Sequence, residues 1–133
     1  MGGMVDQAAL VVYQAEGWRG YFEKATNKDL DKFLANAGSA NYTIFGKWYE
    51  EYSGQNGFIN AQWCHMFVSF AAHRVGIGPD AFPYTASCGT GVAWFRHRGR
   101  WHDPKGYTPV KGDVIYFTSN GTTAGHVGLV RVV

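Results

Sequence analysis

The chain has 133 residues, of which 46% are hydrophobic and 17% charged, a balance that excludes disorder and suits one folded domain around one core. A formal net charge of +2 is too small to imply a nucleic-acid partner, and no apolar run is long enough to cross a membrane. Cys64 and Cys88 make neither a disulfide framework nor a Cys-x-x-Cys pair, and no His, Cys or Asp set has zinc-ligand spacing, so neither metal nor cofactor is expected.

Residues 1–4 read as a remnant or a disordered start ahead of the domain, which begins at Val5. The start has no basic stretch followed by a long apolar run, so it does not read as a signal peptide. Val5 to Gln14 forms a first predicted helix, apolar at Ala8, Leu10, Val11 and Val12. A glycine-punctuated loop from Gly17 to Lys24 carries Trp18, Tyr21 and Phe22. Thr26 to Ser39, rich in Asn, Asp and Lys, reads as loop with a short helical turn at Lys28–Leu34. Asn41 caps a further predicted helix, Tyr42 to Tyr52, with Ile44, Phe45, Trp48 and Tyr49 on its inner side.

The stretch Asn60 to Val75 reads as the central helix, stopped by Gly76. At 100° per residue, Cys64, Val68, Ala71 and Val75 share one face, with Trp63, Phe67, Phe70 and the stem of Arg74 beside them. His65, Ser69 and His73 form the one polar stripe. After a turn-rich connection containing Pro79, Pro83 and Tyr84, Ser87 caps a short helix from Cys88 to about His97. The basic run Arg96-His97-Arg98-Gly99-Arg100 reads as a solvated helix end and turn, although an anionic polymer such as a cell wall stays open as a partner. Val114 to Thr118 is a β-branched and aromatic strand, Asn120-Gly121 a hairpin turn, and Gly125 to Val133 the returning strand. Helices first and an antiparallel sheet last make an α+β domain.

Cys64 falls in the first turn of the central helix, where free backbone N–H groups and the helix dipole favour an anion, so a thiol there ionises more readily. A nucleophilic cysteine needs a base to take its proton. His65 and His73 share its helix but lie on another face, and His97 and His102 lie in or beside turns. His126 opens a strand between two glycines, Gly125 and Gly128, where small neighbours admit another element closely. A structural thiol and a structural histidine remain the plain alternatives.

Gln62-Trp63-Cys64-His65-Met66-Phe67-Val68, then Gly112-Asp113-Val114-Ile115-Tyr116-Phe117, then His126-Val127-Gly128-Leu129-Val130 resemble, in that order, the CHAP family of cysteine, histidine-dependent amidohydrolases/peptidases, within the papain-like NlpC/P60 group. Residues 20–27, 36–43 and 87–101 resemble the same modules in phage endolysins and bacterial wall hydrolases. The resemblance implies a papain-like α+β fold, Cys64 as nucleophile, His126 as general base, and hydrolysis of an amide in bacterial peptidoglycan through a thioester. Gln62 is the candidate side-chain oxyanion donor, with a polar helix cap as the alternative, and Trp18, Tyr21, Trp63 and Tyr84 are candidates to line a substrate groove, with core packing as the alternative for each. Cys88 reads as a structural thiol of its helix.

Two departures from the family pattern bear on these expectations. The family usually carries a third polar residue on the strand after the histidine strand, and the sequence stops at Val133, so the expectation is a truncated sheet, a partner chain that supplies the group or a weaker dyad, with the apolar strand Val127 to Val133 favouring self-association. Gln55 to Ala61 holds no Asp or Glu, so the calcium loop of some relatives is not expected. A catalytically impaired wall-binding or virion module and a papain-like effector acting on protein are the rival functions. A lysin stored in the cytosol until lysis, or a domain of a secreted wall hydrolase, are the expected settings.

Overall fold

A computed structural model describes residues 6–131; the reading of residues 1–4 as a remnant, the helix start at Val5 and the apolar pair Val132-Val133 lie outside these residues. The described chain holds four helices, α1 (Gln7–Glu16), α2 (Ile44–Ser53), α3 (Cys64–Arg74) and α4 (Cys88–His97), followed by two strands, β1 (Val114–Thr118) and β2 (Ala124–Leu129). Helices precede an antiparallel hairpin, the α+β order expected from the sequence.

Side chains set the start of three helices. Asp6 accepts from the backbone N–H of Ala9, Thr43 from Gly46 and Ser87 from Thr90. Asn41 is not the cap of α2: its backbone is left-handed (φ 66°) and its N–H donates to Glu23 Oε2 at 2.7 Å, whereas Thr43 two residues on is extended and buried. The helical turn read at Lys28–Leu34 is absent. That segment is a string of turns, held by the Asn36 side-chain amide donating to Thr26 and Lys28 and by the Tyr21 hydroxyl donating to the carbonyl of Leu30. The polar side chains there bond to the backbone and so compete with helix formation.

α3 is the centre of the molecule and packs on α1, α2 and β2. Its Val68 and Ala71, with Cys64 and Val75 alongside, join Val11, Ile77, Phe82, Cys88 and Val127 in one core. Its Met66 and Phe70 join Phe45 in a second, ringed by Trp18, Tyr21, Trp48 and Trp63. The expected polar stripe divides: His73 is exposed, but His65 and Ser69 are fully buried. Ser69 Oγ lies 3.2 Å from His65 Nδ1 and donates to the carbonyl of Pro83, while His65 Nε2 lies 2.8 Å from the Tyr116 hydroxyl. These bonds satisfy groups that would otherwise make burial costly.

In the hairpin, Val114 pairs with Leu129, Tyr116 with Val127 and Phe117 with His126, with a bulge at Gly125. Asn120 Oδ1 accepts from the N–H groups of Thr122 and Thr123, which shapes the turn that Asn120-Gly121 signalled. The second edge of β2 has no strand partner among the described residues. Val127, counted in the sequence as part of an exposed apolar edge, is instead buried against α3.

Candidate active site

α3 starts differently from its neighbours. Trp63 precedes it and contributes no side-chain cap bond, so the N–H groups of the first turn around Cys64 are left free. The loop that delivers Cys64 is anchored from α2. Glu50 Oε2 accepts from the backbone N–H groups of Gly57, Phe58 and Ile59 at 2.8 to 3.0 Å. Gly46 lets the same loop lie against α2, since a Cβ there would sit 2.4 Å from the carbonyl oxygen of Phe58. Sequence reading passed over Glu50, because its partners are backbone groups brought close only by folding.

A cleft of about 640 Å³ opens between α1, the start of α3 and β2. Gln62, Trp63 and Cys64 line it on one side, Gly125 to Leu129 on another, and Val12, Ala15 and Glu16 of α1 with Arg19 of the following turn on a third. Cys64 is half-buried, while Gln62 and His126 are exposed. His126 faces outward with its cross-strand neighbour Phe117, ring centroids 5.7 Å apart. The hydrogen-bonding neighbour of Cys64 Sγ is Cys88 Sγ, 3.8 Å away, rather than His126. Among the described residues no His, Cys, Asp or Glu cluster has a metal-binding arrangement.

The walls are apolar and the rim is polar. Arg131 Nε meets Glu16 Oε1 at 3.1 Å, tying the chain just past β2 to α1, and Asn41 and Arg19 complete the rim. None of these four was expected at the cleft from the sequence, where Asn41 was read only as a helix cap, since they come from segments that meet only in the fold. Of the aromatic candidates, Trp63 borders the cleft. Trp18 and Tyr21 do not line it but border an adjoining, smaller depression of about 260 Å³ with Phe45 and Phe67, packing edge-on to Phe45 or to each other. Tyr84 is not brought to the cleft. It packs on Trp48, Tyr52 and His73, and its hydroxyl donates to the carbonyl of Ile77.

Burial sets two titrations beside Cys64. His65 is pushed down to about 4, chiefly by desolvation, which keeps it neutral and removes it from competition as a base at ordinary pH. The Cys88 thiol is pushed up to about 12, by desolvation first and then by the neighbouring Cys64. Cys88 therefore stays a thiol where it touches Cys64.

The family model for the CHAP domain matches residues 52–133, well over half of the chain, and takes in Cys64, the Gly112-Asp113 turn and His126 together. The chain belongs to the CHAP domain family. CHAP domains are in general peptidoglycan hydrolases with amidase or peptidase activity. The match begins at Tyr52, near the end of α2, so α1, which builds one wall of the cleft, and most of α2, which braces the cysteine loop, precede the matched region of this CHAP domain. No curated protein and no solved structure matches the chain. Asp113 of the CHAP turn has a structural task here: Oδ2 accepts from the Tyr107 hydroxyl at 2.7 Å and from the N–H of Val110 at 2.9 Å, which shapes the entry to β1.

Proposed function

We propose that this chain cleaves an amide bond of bacterial peptidoglycan with Cys64 as nucleophile and His126 as general base. The observation that carries the reading is that Cys64, at the uncapped start of α3, and His126, on β2, border a single cleft within the matched CHAP region. Cys64 Sγ would attack the scissile carbonyl after giving its proton to His126, and His126 would return a proton to the leaving amine. The thioester left on Cys64 would then be hydrolysed by water. The free N–H groups at the start of α3 suit an oxyanion, and Gln62 on the same rim is the side-chain donor we assign. Trp63 would give the sugar or peptide stem an apolar surface.

The bond is either that between N-acetylmuramic acid and L-alanine or one within the stem or cross-bridge, and the setting is a phage lysin or a module of a wall hydrolase. Mass spectrometry of soluble fragments from purified sacculi, with the unmodified chain and its Cys64→Ala variant, tests the whole reading. Release should fall by about 10⁴-fold or more in Cys64→Ala and by orders of magnitude in His126→Ala, and the new termini name the bond. Sacculi left intact by the unmodified chain, with the chain still bound to them, would instead establish a wall-binding module; digestion of proteins but not of sacculi would establish an effector protease. The edge of β2 that has no strand partner among the described residues supports self-association, which sedimentation across a concentration series reads directly.

A further inference from the structure

The functional reading leaves one nucleophilic group unused. Cys88 opens α4 as Cys64 opens α3, and the two helix starts converge so that the sulfurs lie 3.8 Å apart, both as free thiols. Covalent S–S contact needs about 2.05 Å, so the two sulfurs already stand close and have a short remaining gap to cover. The environments of the two thiols are unequal. Cys64 borders the open cleft, whereas Cys88 is buried in the core with Val68, Phe82 and Val127. An oxidant arriving through the cleft meets Cys64 first and finds Cys88 directly behind it.

We propose that Cys64 and Cys88 form a reversible intramolecular disulfide in response to peroxide, with Cys64 as the sulfur that reacts first and Cys88 as the resolving thiol. In the first step the Cys64 thiolate attacks one peroxide oxygen and the O–O bond breaks. Cys64 becomes a sulfenic acid, and the departing hydroxide takes up a proton to become water. In the second step Cys88 gives up its proton, its sulfur attacks Cys64 Sγ and the S–O bond breaks. That proton leaves with the hydroxide as a second water. Two thiols and one hydrogen peroxide thus give one disulfide and two waters, the sulfurs losing two electrons that the peroxide gains.

The charge state of the pair favours this order. Burial first and then the neighbouring Cys64 hold Cys88 in its thiol form, so Cys88 waits as the second sulfur while Cys64 at the cleft meets the oxidant. A dithiol reductant reverses the bond by exchange. Resting on the assignment of Cys64 as nucleophile, the disulfide also switches hydrolysis off while shielding Cys64 from irreversible oxidation to the sulfinic acid.

The test treats the purified full chain with limiting hydrogen peroxide, alkylates remaining thiols under denaturing conditions and maps the peptides by mass spectrometry. A peptide linking Cys64 to Cys88, in monomeric protein, with neither cysteine alkylated, is the expected result; both cysteines alkylated, or cross-links only between chains, would overturn the proposal. The second arm follows release of wall fragments. Release should be lost on peroxide treatment and restored by dithiothreitol in the unmodified chain, and lost without recovery in Cys88→Ser, whose fold is checked by circular dichroism. Recovery of Cys88→Ser equal to that of the unmodified chain would remove the protective role. A cross-link formed in a chain that releases no fragments even in reductant would establish the disulfide and defeat the hydrolase reading, so the two claims fail separately.

Discussion

His65 sits beside the proposed nucleophile yet belongs to the core. Wedged between Ser69 and Tyr116 and fully buried, it is held neutral, so it supports the fold by hydrogen bonding. Its pKa in the folded chain, about 4, lies below the unfolded value of 6.5. Between those values the unfolded chain binds a proton that the folded chain refuses, so stability contributed above pH 6.5 is lost progressively as pH falls toward 4, by roughly 3 kcal/mol in full. Urea unfolding at pH 7, 5.5 and 4.5 should show that fall, and a flat profile in His65→Gln would assign it to this residue. Gly91 guards the same bond from the other side. A Cβ at this position would stand 2.3 Å from both His65 Nε2 and the Tyr116 hydroxyl. Gly91→Ala should therefore cost about 1–3 kcal/mol or more by urea unfolding, although alanine is the better helix former. The wheel placed His65 with Ser69 and His73 on a polar stripe, and nothing local distinguishes its environment from that of exposed His73. The partners that bury it come from β1 and from the turn around Pro83, distant in sequence.

At the scale of elements, α2 acts as a clamp on the loop that presents Cys64. Glu50 collects three backbone N–H groups there, and carboxylate–amide bonds of this kind are individually stronger than neutral ones. Glu50→Ala should lower stability by about 1–3 kcal/mol in urea. It should also reduce wall-fragment release by more than the unfolded fraction explains, because residues 57–63 lose their anchor. Equal activity per folded molecule would show that the loop holds its shape without the carboxylate. The positions of α2, α3 and α4 were readable to within a few residues from apolar spacing and from Ser87, while the cap of α2 was misplaced. Asn41 and Thr43 are both good caps by type, and the choice between them was made by Glu23, which reaches across from another segment to hold Asn41.

For the molecule as a whole, α3 packed on α1, α2 and β2 should be the most protected unit. In hydrogen exchange, the amides of Val68 to Ala72 should be slowest and those of the exposed hairpin turn, 119–123, fastest. The Glu16–Arg131 pair, partly exposed, should matter little to stability: Glu16→Gln should shift unfolding by less than about 1 kcal/mol. The α+β order, the central helix with Cys64 in its first turn, the hairpin at Asn120-Gly121 and the family itself were all legible in the chain, because period, caps, turn residues and ordered motifs are local or linear signals. The cleft could not be read in that way. Its walls come from α1, the loop before α3 and β2, so its polar rim of Glu16, Arg19, Asn41 and Arg131 exists only once those elements pack. Packing also sorted the aromatics, leaving Trp63 at the cleft, drawing Trp18 and Tyr21 to an adjoining depression and taking Tyr84 elsewhere. It set Cys88 against Cys64 as well, a contact between residues 24 positions apart that no spacing rule foretells.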